Sequence, residues 1–480
     1  MERAQFGTAY LVGLSLLSGV LLSLSYSLYP LWWTTWIAPA PAVAAVLLAP
    51  ARLRRKLGLA AGTIAGVTSF AYHLTVGGWP SAIVILLLVA IAWASVFRST
   101  ATTAERHSAV VAVLIIPATW AAIDTLMTHL SPHGSAGSIA YSQMGFLPAV
   151  QIASLGGVPA ISFVTLLAGS YVGLVLARTL GAPIRGLRAA GVLTAVVVGG
   201  SLLFGIARLS IAPAEKKVSV AMLAIDGLHE RPRDLGSFWH VYGSAIERSA
   251  APGAVVLLPE AVLDLGASEA EKAAEGLATF ARRRAATIIV GVVVTDGARV
   301  TNRALVAEAN GGHAWYVKQH LVPDVEAGMT PGDRPLLLGA PLSNVGVAIC
   351  KDMHFPTLGR EYSLAGARLM LVLANDFEVD DWMTARMTAL RGIEGGYSIA
   401  RAARHGISFA SDRYGRTFVE HRSGRELSTL SATVPIGPVG PTIYSVIGDA
   451  FGWLCVASWA AFILARFLKL PPHRPIPVPA

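Results

Sequence analysis

The chain has 480 residues, of which 54% are hydrophobic and 14% charged, whereas soluble domains carry roughly 25% charged residues. This balance excludes an ordinary soluble protein and indicates that much of the chain lies in lipid. The formal net charge is +9, but the basic residues are scattered in short loops between apolar runs, so we predict no nucleic-acid partner. Two cysteines, Cys350 and Cys455, are too few for a disulfide framework.

Eight apolar stretches approach the length of about 20 residues that a helix needs to cross a bilayer. We predict transmembrane helices at 8–27, 31–49, 57–76, 81–97, 108–127, 159–178, 188–207 and 443–465. Seven of them make up a membrane region at 1–212, and the last is an eighth transmembrane helix at 442–467. A proline-rich tail follows at 468–480.

Basic residues follow every even-numbered span, and the loops at 28–30, 77–80 and 128–158 contain no Lys or Arg. The positive-inside rule therefore places the even-numbered exits and the tail in the cytoplasm. The long segment after the seventh span then faces the periplasm or cell exterior. The basic residues are Arg52, Arg54, Arg55 and Lys56, then Arg98 and Arg106, then Arg178, Arg185 and Arg188, then Arg466, Lys469 and Arg474.

The segment 128–158 is long for a connection between helices and is rich in Gly, Ser and Pro. It is either an ordinary loop or a re-entrant wall of a cavity that faces lipid.

Charged residues return at 215–437, where short β-branched or aliphatic runs alternate with amphipathic stretches. We predict strands at 218–225, 254–259, 286–294, 302–309, 344–350, 368–374 and 397–403, and helices at 232–250, 268–285, 356–365 and 382–394. Alternation of this kind is typical of a layered α/β domain, in which reactive groups gather at strand ends.

Three strand ends carry residues that could perform chemistry: Glu260 after 254–259, Cys350 at the end of 344–350, and Lys318 after a further apolar run at 315–317. A thiol requires a base to become a nucleophile near neutral pH, and Glu260 could supply it. Lys318 could stabilise an oxyanion. Each residue also has an ordinary explanation, as a first-turn acid, a solvated lysine and a buried core thiol respectively.

The order of Glu260, Lys318 and Cys350 along the chain resembles the triad of the nitrilase, or carbon-nitrogen hydrolase, superfamily. The segment 318–326, KQHLVPDVE, is similar to a motif of the apolipoprotein N-acyltransferase family. By this resemblance, Glu326 corresponds to a second essential glutamate of that family, which supports the lysine. Residues 29–31, 38–39, 141–143 and 151–154 resemble membrane-region motifs of the same family.

The resemblance implies a multi-pass α-helical membrane domain joined to an α/β nitrilase-like αββα sandwich. It implies a bacterial plasma (inner) membrane protein with a periplasmic catalytic domain. The reaction would move an acyl chain from a phospholipid, such as phosphatidylethanolamine, through a thioester on Cys350 to a diacylated apolipoprotein. Membrane lipids would be its other partners. The resemblance implies no cofactor, and no second ligand stands at a suitable spacing from His320 for a metal.

The sequence departs from the family after the nucleophile, where Lys351 and Asp352 stand in place of Tyr-Glu. Asp352 keeps an acid with a supporting role. The family's tryptophan after the first strand has no clear equivalent, and Trp239 is the nearest candidate. Lys351, Asn375, Trp382 and Trp239 are the residues that we expect to line the substrate. The departures leave open two alternatives, a membrane-bound amidase that uses water as acceptor and a non-catalytic membrane scaffold.

Overall fold

The computed structural model describes residues 6–214, 216–228, 230–340, 342–437 and 440–467, and the predicted tail at 468–480 lies outside these ranges. The first half of the chain is helical. Its short 3-10 helices are Trp32–Trp36 and Ile139–Gly145. Its α-helices are α1 (Thr8–Ser25), α2 (Ala40–Leu48), α3 (Ala51–Ala65), α4 (Val67–Arg106), α5 (Ala109–Leu130), α6 (Leu147–Val150), α7 (Ala153–Thr179) and α8 (Leu187–Leu209).

Within the described ranges, five helices are long and apolar enough to cross a membrane by length and composition: α1, α4, α5, α7 and α8. Two further apolar helical stretches, Trp32–Leu48 and Ala450–Ala465, are shorter. All eight predicted spans coincide at least in part with helix. The second is divided between a 3-10 helix and α2.

Helix α4 consists of two helices that meet at a kink at Gly78, so it contains part of the third predicted span and all of the fourth. Gly78 has φ 72° and ψ −179°, a conformation that is essentially restricted to glycine. The half after Gly78 packs closely on α3, where a Cβ placed on Gly62 would lie 2.7 Å from the carbonyl oxygen of Ala90. Small residues of this kind let transmembrane helices approach closely.

The three basic loops of the membrane region meet at one end of the helical bundle. Arg54, at the start of α3, forms an ion pair of 2.5 Å with Glu105 at the end of α4. The backbone N–H of Ala109, which begins α5, donates to the carbonyl of Arg185 between α7 and α8. The loops that the positive-inside rule assigns to the cytoplasm therefore lie together.

The second half of the chain forms thirteen strands among the described residues, with a 3-10 helix at Cys350–His354. Its helices are α9 (Leu235–Ser249), α10 (Ala267–Arg284), α11 (Pro356–Leu364), α12 (Asp381–Gly395), α13 (Ile443–Ile447) and α14 (Ala450–Phe467). Its strands are β1 (Lys217–Ala224), β2 (Val255–Leu257), β3 (Leu263–Gly266), β4 (Thr287–Asp296), β5 (Arg299–Ala307), β6 (His313–Val317), β7 (Leu336–Leu338), β8 (Val345–Ile349), β9 (Leu369–Asn375), β10 (Ser398–Arg404), β11 (Ile407–Ser411), β12 (Thr417–Arg422) and β13 (Ser428–Pro435).

These strands form two sheets that pack face to face. The first has the order β13-β1-β2-β4-β5-β6, with β3 beside β4, and the second has the order β12-β11-β10-β9-β8-β7. Apolar residues of both sheets fill the space between them. Helices α9 and α10 pack on the outer face of the first sheet, and α11 and α12 pack on the outer face of the second. This arrangement confirms the predicted αββα sandwich.

The segment 128–158 packs against the α11–α12 layer. Its buried Tyr141, Met144 and Val150 share one apolar core with Leu390 and Ile393 of α12. The segment contains a 3-10 helix and α6, and it separates α5 from α7. It is therefore a structured wall between the membrane helices and the αββα sandwich, and the interpretation as an ordinary loop was wrong.

The eighth apolar helix begins later than predicted. A short helix, α13, occupies Ile443–Ile447, and α14 starts only at Ala450. The break falls at Gly448, whose φ of 63° and ψ of −144° lie outside the helical region of backbone conformation. The helix is therefore interrupted between Ile447 and Ala450.

Candidate active site

Three charged side chains meet at the strand ends between the two sheets. Glu260 lies in the turn between β2 and β3, Lys318 follows β6, and Glu326 lies further along the same loop as Lys318. Lys318 Nζ donates to Glu260 Oε1 at 2.7 Å and to Glu326 Oε2 at 2.8 Å. All three side chains are buried, so the lysine is a cation between two carboxylates in a region of low dielectric.

The Glu260 turn is brought close to the sheet by a glycine in the neighbouring strand. A Cβ at Gly291 of β4 would lie 2.3 Å from the Pro259 carbonyl oxygen and 2.7 Å from Glu260 Cα. The turn also reaches the second sheet, because the Glu260 N–H donates to the carbonyl of Ala374 in β9 at 3.4 Å. The two sheets are thus connected at the site itself.

Cys350 begins the 3-10 helix directly after β8 and is half-buried. Its φ of 45° is in the left-handed region, which is strained for a residue with a Cβ. Its Sγ lies 3.9 Å from the carbonyl oxygen of Asn375 at the end of β9. Strained backbone of this kind clusters at functional sites, where the surrounding structure holds it in place.

Asp352 connects the Cys350 turn to the lysine loop. Its Oδ2 accepts from the Ile349 N–H at 3.0 Å and from the Tyr316 hydroxyl at 2.7 Å. Its Oδ1 accepts from the backbone N–H of His320 at 2.9 Å. The carboxyl group is fully buried. It therefore fixes the position of the strand that ends in Cys350 relative to the loop that carries Lys318.

Burial and neighbouring charges set the protonation of the cluster. Burial raises the pKa of Glu260, and Lys318 opposes that rise. Burial alone would lower the pKa of Lys318, but Glu260 and the other nearby anionic groups outweigh it and raise that pKa. Burial and Glu260 raise the pKa of Cys350, whereas Lys318 lowers it. The resting cysteine is therefore a thiol that needs a nearby base, and Glu260 is close enough to influence it.

Both halves of the chain are similar to known protein families. A family model described as the apolipoprotein N-acyltransferase N-terminal domain matches residues 18–171, and one described as carbon-nitrogen hydrolase matches residues 219–444. The apolipoprotein N-acyltransferase of Geobacter metallireducens is 24% identical over 519 aligned positions that cover 96% of each chain. The chain is thus similar to the apolipoprotein N-acyltransferases over nearly its whole length.

Other similar proteins cover less of the chain. The apolipoprotein N-acyltransferase of Azotobacter vinelandii is 27% identical over 58% of each chain. Among solved structures, an amidase from Nesterenkonia sp. AN1 aligns with 49% of this chain and 95% of its own, at 21% identity and a TM-score of 0.41.

Of the residues expected to line the substrate, Trp239 lies away from Cys350. Trp239 packs on Phe280 between α9 and α10, on the outer face of the first sheet, with ring centroids 4.8 Å apart. Cys350 packs on the core between the sheets, so the structure does not bring Trp239 to it. Trp382 lies in the first turn of α12, near Tyr29 of the membrane region, with ring centroids 6.3 Å apart, and its role as a substrate-lining residue stays a prediction.

Asn375 and Lys351 do lie beside Cys350. Asn375 contributes its backbone carbonyl to Sγ, while its side-chain Oδ1 contacts His405 Nδ1 at 2.9 Å. Lys351 follows the nucleophile and is buried, and its Nζ has no hydrogen-bond partner among the described residues. The residue that departs from the family motif is therefore part of the site.

The sequence analysis missed Asn302. This buried residue of β5 donates from Nδ2 to Glu260 Oε1 at 2.7 Å and to Glu326 Oε1 at 2.8 Å. One amide thus joins both carboxylates that contact Lys318. Asparagine is depleted in strands, so its presence in an otherwise apolar run was the available signal. No group of three or more His, Cys, Asp or Glu in the described ranges is arranged to hold a metal ion.

Proposed function

We propose that this protein transfers an acyl chain from a phospholipid to the N-terminal amine of a diacylglyceryl-cysteine in an apolipoprotein, through a thioester on Cys350. One observation carries the proposal: the nucleophile's 3-10 helix is bonded directly to the membrane region. The N–H and hydroxyl of Ser135 both donate to the carbonyl of His354, at 3.0 and 2.8 Å. A nitrilase-like thiol fixed to the wall of a membrane domain suits substrates whose acyl chains stay in lipid.

In the first half-reaction, Glu260 accepts the proton of the Cys350 thiol while the sulfur attacks the ester carbonyl of the phospholipid. Lys318 stabilises the resulting oxyanion, since it is a fixed cation in a region of low dielectric. The carbon–oxygen bond then breaks. Glu260 returns its proton to the leaving alkoxide, and lysophospholipid departs. The acyl group remains on Cys350 as a thioester.

In the second half-reaction, the neutral amine of the acceptor attacks the thioester carbonyl. Glu260 takes the proton that the amine loses, and Lys318 again stabilises the oxyanion. The carbon–sulfur bond breaks, and the thiolate recovers a proton from Glu260. Splitting the transfer into two steps is the usual advantage of a covalent nucleophile, and it gives ping-pong kinetics.

The proposed location is a bacterial plasma membrane, with the catalytic domain at 215–437 on the periplasmic side. The membrane region at 1–212 and the helix at 442–467 would hold it there. The meeting of the basic loops at one end of the bundle supports this orientation. At the catalytic end, the Tyr72 hydroxyl donates to Asp380 at 2.7 Å.

The test is intact-mass measurement of purified protein given labelled phosphatidylethanolamine and then a diacylated lipopeptide. We expect one acyl adduct on Cys350 that the lipopeptide removes, and no adduct in Cys350→Ala. Cys455→Ala is the matched control, because Cys455 packs on Ala121 and Ala122 away from the site. Removal of the adduct by water alone would indicate an amidase-like hydrolase. A wild-type protein without any adduct would contradict the proposal.

A further inference from the structure

Lys351 is a buried cation that the known chemistry of the site does not use. Lys351 is 3% exposed, and its Nζ makes no hydrogen bond within the described residues. Burial and the nearby Lys318 lower its pKa to about 8. An unpaired buried ammonium is costly, and such groups are retained where a ligand or reaction uses them.

The groups around Lys351 leave its charge without a partner. The Glu326 Oε2 atom already accepts from Lys318 Nζ and from the Val322 N–H at 2.7 Å. The pKa of His354 is well below its usual value because of burial and of Lys351 itself, so this ring is neutral near pH 7. Burial and Lys351 also lower the pKa of His133, which lies in the loop after α5. An anionic group from a substrate would supply the missing partner.

The surroundings of Lys351 suit a lipid. His133 belongs to the membrane region and is exposed. Val325, in the lysine loop, is 66% exposed, and Phe377, two residues beyond Asn375, is 46% exposed. Exposed apolar side chains therefore lie on the lysine loop and on the segment after β9, where a hydrocarbon chain can cover them.

We infer that Lys351 binds the phosphate of the acyl donor, a glycerophospholipid whose ester carbonyl reaches Cys350. This inference rests on the proposed function. In such a donor, the phosphate and the reactive ester belong to the same glycerol unit, so adjacent residues can contact both. The diacylated acceptor has no phosphate for Lys351 to bind. Lys351 therefore selects for the donor and acts in the first half-reaction only.

The test compares two acyl donors on the full-length protein. Phosphatidylethanolamine in detergent micelles carries the phosphate, and p-nitrophenyl palmitate does not. In Lys351→Met we expect the rate of Cys350 acylation by phosphatidylethanolamine to fall about 10- to 100-fold, the loss expected for a hydrogen bond to a charged group. Acylation by the nitrophenyl ester should change less than about twofold, which also shows that the variant is folded.

Two further variants and a second measurement complete the experiment. Lys351→Arg keeps the charge and should retain most of the activity with phosphatidylethanolamine. Lys272→Met removes an exposed lysine of α10 and should leave both donors unaffected. Discharge of the thioester by the lipopeptide should be as fast in Lys351→Met as in the wild type.

Equal losses with both donors, or no loss with phosphatidylethanolamine, would overturn the inference while leaving the acyl transfer itself intact. A wild-type protein that accepts acyl groups from the nitrophenyl ester but not from the phospholipid would contradict the proposed function, and this inference with it.

Discussion

At the scale of single residues, Asn302 determines how the charges of the site are shared. Its amide donates to Glu260 and to Glu326, and the bond to Glu260 lowers a pKa that burial raises. In the proposed mechanism, Glu260 must be unprotonated to accept the thiol proton. Asn302 is therefore a positioning residue whose contribution should be visible in the pH dependence of acylation.

We predict that Asn302→Leu slows acylation of Cys350 by about 10- to 100-fold, because hydrogen bonds to two buried carboxylates are lost. The pKa of Glu260 should rise further, so the acid limb of the pH–rate profile should move to higher pH. Asn310→Leu is the matched control, since Asn310 makes an exposed hydrogen bond to Glu308. A slower enzyme with an unmoved acid limb would show that Asn302 does not act through Glu260.

The sequence located the charged residues of the site but not the amide that joins them. Glu260 and Lys318 stand at ends of apolar runs, and Glu326 belongs to a recognisable motif, so each has a local signal. Asn302 has partners 42 and 24 residues away along the chain, and only the folded sheet brings them together. Trp239 was expected near the substrate because of its position after the first strand, but α9 turns its ring onto α10.

At the scale of elements, α12 connects the second sheet to the membrane region through buried charges. Arg391 pairs with Glu394 at 3.0 Å and donates to the Tyr141 hydroxyl at 3.0 Å. Glu394 in turn accepts from the Val158 N–H at 3.0 Å. Removing one member of a buried ion pair leaves the other charge unpaired, which is strongly destabilising.

We predict that Arg391→Met lowers the free energy of unfolding by about 3–5 kcal/mol. Arg386→Met, in the same helix, should cost about 0–1 kcal/mol, because its 2.6 Å pair with Glu420 is partly exposed and screened. Urea unfolding of the detergent-solubilised proteins measures both changes. Similar small changes in the two variants would contradict a stabilising role for the Arg391 pair.

All seven predicted strands and all four predicted helices of the second half are present, because long apolar runs and amphipathic periods are local signals. The strands that were missed are mostly short or at sheet edges. The last strand, β13, pairs antiparallel with β1, although nearly the whole domain separates them along the chain. Pairing at that separation depends on tertiary structure, and no local pattern predicts it.

At the scale of the whole molecule, the arrangement predicts which parts are reachable from each side of the membrane. In a background without Cys350 and Cys455, Arg283→Cys on α10 should react with a membrane-impermeant maleimide added to intact bacterial spheroplasts. Arg55→Cys, in an exposed position of α3, should react only after the membrane is permeabilised. The positive-inside rule gives this direction. The reverse labelling pattern would invert the proposed orientation.

The shared core of Tyr141, Met144, Leu390 and Ile393 has a consequence for any attempt to dissect the protein. The outer face of α11 and α12 in the catalytic half is apolar, and the membrane segment 128–158 covers it. A fragment of 215–437, or one grafted onto a different anchor, would present Arg391, Glu394 and an apolar face to water. The membrane region thus completes the interior of the catalytic half, and we expect an isolated 215–437 fragment to aggregate where the full-length protein does not.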